Sequence, residues 1–459
     1  MSLVQSDTIV ALATPPGRGA IGIVRMSGPG SLSILRELVA SPSFDPQPNV
    51  LYLRSIFDSQ AGDVLDESMV CYFRAPHSFT GEDVVELHAH GSPIVLRTIV
   101  DASLRLGARM ADAGEFSLRA VANGRISLAE AEAIRDLIDA QTDAAVRQAT
   151  RQLKGEISKT LQPLKDELLR IIVRLESSLE FVEDDLPAFE QKEMIHALAK
   201  VRHACDELTH TFSRGQLIRD GIRVTLMGRP NAGKSSLFNS LLGRPRAIVT
   251  EIPGTTRDTI TESVGIAGMP VHLTDTAGLR AAENRIESMG VDRTKRAAAD
   301  SDLLVIVIDG SEDIDLQDRA AICEAADTRY IIAVNKADLP SFSAARVSSL
   351  TNGKSATSVS VSAKTNEGID DLRAAIVQPF ANGDANSDGL LITNARHHDL
   401  LQRASDALRA SESLLAESTS EEIILVGLHS ALRYLGNITG QTTSDEILGQ
   451  IFSTFCIGK

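Results

Sequence analysis

The chain is 459 residues long, with 43% hydrophobic and 23% charged residues, which is room for roughly two to four ordinary cores and excludes a peptide or a small stapled scaffold. Its net charge of −15 repels polyanions, so a nucleic-acid partner has to be met by a local patch rather than by the whole-molecule field. Cys71, Cys205, Cys323 and Cys456 follow no CxxC or other regular spacing, which argues against a disulfide framework or a structural zinc site and predicts a reducing, cytoplasmic location. The N-terminus lacks a basic leader and no apolar run reaches the ~18 residues of a membrane span, so no span is expected.

Residues 1–118 alternate short apolar runs, at 8–13, 20–25 and 68–73, with Pro and Gly punctuation, and a helix is predicted near 93–106; this is the pattern of a small α+β domain. The texture turns helical at Ser127, which forms an S-x-x-E capping box with Glu130. Ala133, Leu137, Ala140 and Ala144 follow at helical spacing, and Ile134 and Ile138 widen the stripe. Helix continues, with breaks, to about residue 214. From Gly221, strand-like Ile222, Val224 and Leu226 lead into a Gly-rich turn and a helix. Continuous apolar strands at 303–308 and 330–334 then predict an α/β domain with a mainly parallel sheet. A polar linker at 382–388 returns to helical sequence at 395–415 and 421–435. The expected organisation is an α+β domain over 1–118, an all-α domain split into 119–214 and 381–459, and an α/β domain over 215–380 inserted between the helical halves.

The run GRPNAGKS at 228–235 matches G-x-x-x-x-G-K-[ST] between a predicted strand and a helical run at 236–242. Small residues let the backbone wrap phosphates so that its N–H groups and the helix N-terminus face the anion. Asn231, Ala232, Gly233, Lys234, Ser235 and Ser236 are the expected phosphate-binding set, with Lys234 reaching the β and γ oxygens and Ser235 on Mg²⁺. At the end of the strand 271–274 come Asp275, Thr276, Ala277 and Gly278, a D-x-x-G sequence in which the carboxylate holds the metal through water and the glycine N–H senses the γ-phosphate. Between the two lies GTTRD at 254–258, whose Thr256 offers Mg²⁺ a second hydroxyl.

Asn335, Lys336, Ala337 and Asp338 follow the strand ending at Val334. A carboxylate accepts hydrogen bonds from guanine N1–H and N2–H₂, which adenine does not offer, so Asp338 selects GTP. Ser362, Ala363 and Lys364 follow another short strand and are expected to brace the base through backbone N–H. Any one of these tetrapeptides reads as a polar loop; five in this order read as a Ras-like P-loop GTPase. Ras-like enzymes carry a Gln after D-x-x-G to orient the attacking water. This chain has Leu279 there, leaving the task to another polar group, with the acidic residues between Ala281 and Asp292 as candidates by position. Asn231 could serve a monovalent cation beside the phosphates or form only a local loop bond.

Other signals are weaker. Residues 17–22 spell G-x-G-x-x-G, but strand-like sequence follows, so a glycine-rich hairpin is expected rather than a dinucleotide site. His88 and His90, with His77 nearby, lack a completing set of metal ligands and are read as hydrogen-bonded histidines. The acidic run 180–185 reads as a solvated helix end or turn.

The series GRPNAGKSS, PGTTRD, DTAGL, NKAD and SAK resembles the TrmE-Era-EngA-YihA-Septin-like GTPases. TPPGRGAIGIVR at 14–25, FTGEDVVE at 79–86, AGEFS at 113–117 and the terminal FCIGK at 455–459 narrow the resemblance to the MnmE (TrmE) family of tRNA-modification GTPases, over nearly the whole chain. The resemblance implies a multidomain fold: an α+β N-terminal folate-binding and dimerisation domain, an all-α central domain ending in CxGK, and the inserted α/β G domain. It implies a homodimer in which potassium-dependent pairing of G domains drives GTP hydrolysis. An FAD-dependent partner, MnmG (GidA), joins it in a heterotetramer or larger complex. Together they place an aminomethyl or carboxymethylaminomethyl group on C5 of the wobble uridine of tRNA, drawing on a 5,10-methylene- or 5-formyl-tetrahydrofolate donor.

Carried over by motif, Arg25, Glu86, Arg125 and Lys459 match folate-binding positions. Asn231, Thr250, Ile252 and Thr255 match potassium ligands, and the GTP-binding segment takes in Thr250, Glu251, Ile252, Pro253, Gly254, Thr255 and Thr256. Glu287 matches the residue that positions the hydrolytic water, with Glu283 close by, and Cys456 matches a cysteine required for modification. A GTPase that docks on a ribosomal subunit is the rival reading; it calls for an RNA-binding appendage, and none is evident in the sequence.

Overall fold

The computed structural model describes residues 7–58, 62–180, 188–243, 261–275, 299–325, 328–349, 357–380, 389–417, 421–441, 443 and 445–458. Contacts divide the chain into two compact units, one of residues 1–135, 152–204 and 403–459, the other of residues 136–151 and 205–402.

The first unit contains a six-stranded sheet, formed by β1 (Ile9–Leu12), β2 (Ile21–Ser27), β3 (Leu51–Phe57), β4 (Val64–Phe73), β5 (Val84–His90) and β6 (Arg109–Met110). Its order is β3-β4-β5-β2-β1-β6, antiparallel at every pairing but β1–β6. Along β2, Val24 and Met26 are buried and Arg25 is only partly so, the period of two that puts alternate side chains on opposite faces. Helices α1 (Ser31–Leu38) and α2 (Pro93–Arg105) cover one face. Pro93 starts α2, where a missing N–H costs nothing, and Leu96, Ile99 and Ala102 recur at helical spacing toward Val24, Met26, Val85 and Leu87. On the other face Phe116, from α3 (Glu115–Ala122), packs on Ile9 and Ala11. The glycine-rich stretch that begins at Gly17 runs from the 13–20 connection into β2, which pairs antiparallel with β1, as the hairpin reading requires.

The remaining described helices are α4 (Leu128–Asp139), α5 (Asp143–Leu153), α6 (Glu156–Glu180), α7 (Ala188–His210) and α8 (Phe212–Asp220), then α9 (Lys234–Leu242), α10 (Leu316–Glu324) and α11 (Ile369–Val377), and α12 (Ala395–Ala416), α13 (Glu421–Thr439) and α14 (Asp445–Phe452) toward the C-terminus. The capping box of α4 is formed: Ser127 N–H donates to Glu130 Oε2 at 2.6 Å and Glu130 N–H to Ser127 Oγ at 3.3 Å. Within the first unit, α6 packs on α13, and Phe452 and Phe455 close on Leu118, Leu128 and Ala131. The acidic run at 181–185 lies outside the described residues, as does the linker at 382–388.

The second unit is built on strands β7 (Ile222–Met227), β8 (Thr261–Ile266), β9 (Met269–Asp275), β10 (Leu303–Asp309), β11 (Tyr330–Asn335) and β12 (Ser358–Ser360), in the order β12-β11-β10-β7-β9-β8. All pairs are parallel except the edge hairpin β8–β9, whose turn residues Ala267 and Gly268 both take positive φ, at 50° and 82°. Positive φ at both central positions gives the turn twist that matches paired strands. Helices α9 (Lys234–Leu242), α10 (Leu316–Glu324) and α11 (Ile369–Val377) flank the sheet. Every residue of β10 is buried, with Val305 and Val307 packed to one face and Ile306 and Ile308 to the other. At about 1.5–3 kcal/mol per buried aliphatic side chain, this strand anchors the loops at its carboxyl end.

Candidate functional site

The carboxyl ends of β7, β9, β10 and β11 carry the loops that sequence reading singled out, which is where open parallel sheets bind ligands. The turn from β7 to α9 is a tight cradle. A Cβ on Gly228, at φ 143°, would lie 2.3 Å from Val307 O, and one on Gly233, at φ 92°, would lie 2.2 Å from Asn335 Nδ2. Asn231 itself takes φ 66°, so three residues of this turn sit in conformations that bend the backbone around a centre. Lys234 is buried, and its Nζ donates to Gly228 O and Arg229 O, at 2.8 Å each. The lysine is thus folded across the mouth of its own loop. Ser235 and Ser236 are exposed in the first turn of α9, where N–H groups and the helix dipole favour an anion.

Asp275 ends β9, buried and opposite Leu226 of the neighbouring β7. Asn335 ends β11 and is buried, and its side chain joins two of the motifs. Its Nδ2 donates to Ala232 O at 2.9 Å, and its Oδ1 accepts from Ala363 N–H at 3.1 Å. A buried amide of this kind has to be satisfied on both ends, and this one spends the Ala363 N–H that was expected to face the base. Ser362 Oγ donates to Asp338 Oδ1 at 2.7 Å and accepts from Thr365 N–H at 3.1 Å, fixing the Asp338 carboxylate. Lys336, at φ 67°, pairs with Asp309 at the end of β10. Burial pushes the Asp309 carboxyl up, but the bonds from Lys336 and Ser311 prevail and hold it below the usual carboxylate range.

Asp309 was missed by motif reading; the available signal was an acidic residue at the carboxyl end of a central strand. Thr250, Glu251, Ile252, Pro253, Gly254, Thr255, Thr256, Thr276, Ala277, Gly278, Leu279, Glu283, Glu287 and Lys459 lie outside the described residues.

A second constellation occupies the first unit. Arg25 and Glu86 are cross-strand partners on β2 and β5. Arg25 Nε and Nη2 meet Glu86 Oε1 at 2.9 and 2.8 Å, while Glu86 Oε2 meets His88 Nε2 at 3.2 Å. The guanidinium lies 6.0 and 5.8 Å from the ring centres of Phe79 and Phe116. The C-terminal tail reaches the same place: Arg25 Nη1 donates to Gly458 O at 3.4 Å, and Cys456, exposed, accepts from Gly114 N–H at 3.3 Å through its carbonyl. Arg125 donates to Ser78 O at 3.1 Å. The set offers a cation, a paired carboxylate acceptor and apolar ring faces side by side. His88 shares its strand face with Glu86 by i, i+2 spacing and bonds to it; His90 bonds to Asp66.

A family model described as the MnmE helical domain matches residues 128–456, and one described as the GTP-binding protein TrmE N-terminus matches residues 8–125. The tRNA modification GTPase MnmE of Koribacter versatilis is 43% identical over 456 residues, 99% of each chain. The chain belongs to the MnmE family. The MnmE of Aquifex aeolicus is 40% identical over 454 residues, 99% of this chain and 100% of that one. The MnmE helical match brackets the whole α/β sheet, so the fold is multidomain: an α+β N-terminal part, a helical part, and an α/β P-loop part within it. A solved G domain of the T. maritima FeoB iron transporter aligns with 35% of this chain and 99% of its own, at 24% identity and a TM-score of 0.27. No described helix is long and apolar enough to cross a membrane.

Proposed function

We propose that this chain hydrolyses GTP as part of a tRNA-modifying enzyme acting on C5 of the wobble uridine. The observation that carries the reading is Asn335, which ties the phosphate loop at Ala232 to the guanine loops at Ala363, so that phosphate and base recognition are set by one buried side chain. On this reading Lys234 leaves the carbonyls of its own loop for the phosphates, Ser235 and Thr256 hold Mg²⁺, and Asp338 selects guanine. Asn231, Thr250, Ile252 and Thr255 are oxygen donors for K⁺, and Glu287 orients the attacking water. With K⁺ bound, its positive charge supplies what an arginine finger supplies elsewhere.

The Arg25–Glu86 pair, with Arg125 and Lys459, is the proposed place for a tetrahydrofolate derivative, and Cys456 lies two residues before Gly458 on the tail that Arg25 meets. Arg25 suits the glutamate tail and Glu86 the pterin N–H groups. The proposed assembly is a homodimer through residues 1–118, joined by the FAD-dependent MnmG and by tRNA, with the helical segments 119–214 and 381–459 relaying closure of the G domains over 215–380. Cytoplasmic location follows from that role.

Replacing sodium by potassium in a GTP turnover assay tests the reading, in parallel with Asn231→Ala. Strong activation by potassium that the variant loses is the expected result; equal turnover in both salts removes the potassium site.

A further inference from the structure

Arg229 belongs to the phosphate loop but takes none of the phosphate or metal roles assigned to it, and its side chain turns away from the cradle toward the segment between β10 and α10. Its Nη2 meets Glu312 Oε2 at 2.7 Å, its Nη1 Asp315 Oδ2 at 3.4 Å and its Nε Asp318 Oδ1 at 3.7 Å. Two of these carboxylates are held rigidly. Asp315 caps α10, accepting from Gln317 N–H at 2.8 Å and Asp318 N–H at 2.9 Å, and Asp318 Oδ2 accepts from Asp315 N–H at 3.2 Å to complete the capping box. Asp318 is 1% exposed, and its Oδ1 has no hydrogen bond. Arg229 is the cation that faces that oxygen.

The backbone of the same residue carries the other half of the relationship. Arg229 O accepts from Lys234 Nζ at 2.8 Å. The same inter-strand segment also reaches the base-binding side: Asp309 pairs with Lys336, and Gly310 N–H donates to Asn335 O at 2.9 Å.

We infer that Arg229 is a positioning residue for GTP binding: anchored by Glu312, Asp315 and Asp318, it fixes the first half of the phosphate loop and thereby the resting place of Lys234. Residues 309–318, outside all the GTPase motifs, then brace both the phosphate loop and the guanine loop from one side. Burial pushes the Asp318 carboxyl up, and the Arg229 charge opposes that push.

The test uses the full chain, with fluorescent mant-GDP titration and steady-state GTP turnover. Arg229→Met, which keeps the length of the side chain and removes the charge, is expected to weaken mant-GDP binding ~10-fold and to raise KM, with kcat held within about threefold, the loss expected for charge-assisted bonds. Arg229→Lys is expected to keep affinity within about threefold. A folded Arg229→Met protein that binds mant-GDP as tightly as the parent overturns the inference, whatever its melting temperature, and so does a fall confined to kcat or a lysine variant as impaired as the methionine one. Should Arg229→Met not fold, Glu312→Gln serves instead, since that side chain is 61% exposed and takes no part in the cap. It is expected to weaken binding about twofold to threefold, and unchanged binding overturns the inference.

Discussion

Arg25 Nη1 and Gly458 O meet at 3.4 Å across 433 residues of sequence, so the tail is anchored on β2 of the first sheet. Gly458 is at φ 95°, and a Cβ there would lie 2.3 Å from Leu12 O. Only glycine fits both the angle and the space.

Gly458→Val should therefore release the tail from β1 and from Arg25. The expected signature is loss of hydrogen-exchange protection at Gly114, whose N–H donates to Cys456 O at 3.3 Å, with the protection of β5 unchanged. Retained protection at Gly114 would show that the tail docks by other contacts.

Asn335→Ala removes a buried amide bonded at both ends and leaves Ala232 O and Ala363 N–H without it. Each unpaired buried group costs about 1–3 kcal/mol, so GDP and GTP affinity should fall roughly 5- to 150-fold together. Isothermal titration with both nucleotides reads this; a loss for GTP alone would place Asn335 with the γ-phosphate instead.

Asp338→Asn replaces the acceptor proposed to select guanine by an amide that also donates, while Ser362 can still bond to it. Binding of GTP should weaken and that of XTP, with a carbonyl at C2, should strengthen. Competition titrations with the two nucleotides measure the exchange, and weakened binding of both would remove Asp338 from base selection.

Arg119 is fully buried against Asp7 at 2.6 Å, Glu115 at 2.9 Å and Glu82 at 3.1 Å. Arg119→Met removes the buried cation these carboxylates share, Asp7 and Glu115 keeping only the Arg109 cation, and should destabilise the first unit by about 3–5 kcal/mol in urea unfolding. Bonds from Arg109, chiefly, and from Arg119 hold the Asp7 carboxyl below its usual range. In Glu115, burial pushes upward, but the arginines and the Asp112 N–H outweigh it. Both pKa values are lower in the folded than in the unfolded chain. The stability they contribute is present above the unfolded carboxylate values, ~3.9 and ~4.3, and is lost as pH falls through the folded ones. Acid unfolding followed by circular dichroism should therefore begin below about pH 4, and a flat profile down to that point that then fails to fall would exclude these two groups.

Local pattern was enough for much of this protein. The capping box at Ser127, the hairpin after β1, the apolar run of β10 and the strand-turn-helix around Lys234 depend on residues close in sequence, where spacing, turn chemistry and periodicity set backbone geometry directly. The GTPase motifs could be named for the same reason: each is a short loop whose chemistry lies in its own residues.

Tertiary structure decided what those loops are attached to. That Ala363 N–H serves Asn335, that Asp309 holds Lys336, that Arg229 is pinned by three carboxylates and that Gly458 lies on Arg25 all involve partners dozens to hundreds of residues apart. Sequence records which donors and acceptors exist; which of them meet depends on strand order and register, here β11 beside β10 beside β7 in one sheet and β2 between β5 and β1 in the other. Buried polar groups must find partners wherever the packing brings them together, and that choice is made by the fold.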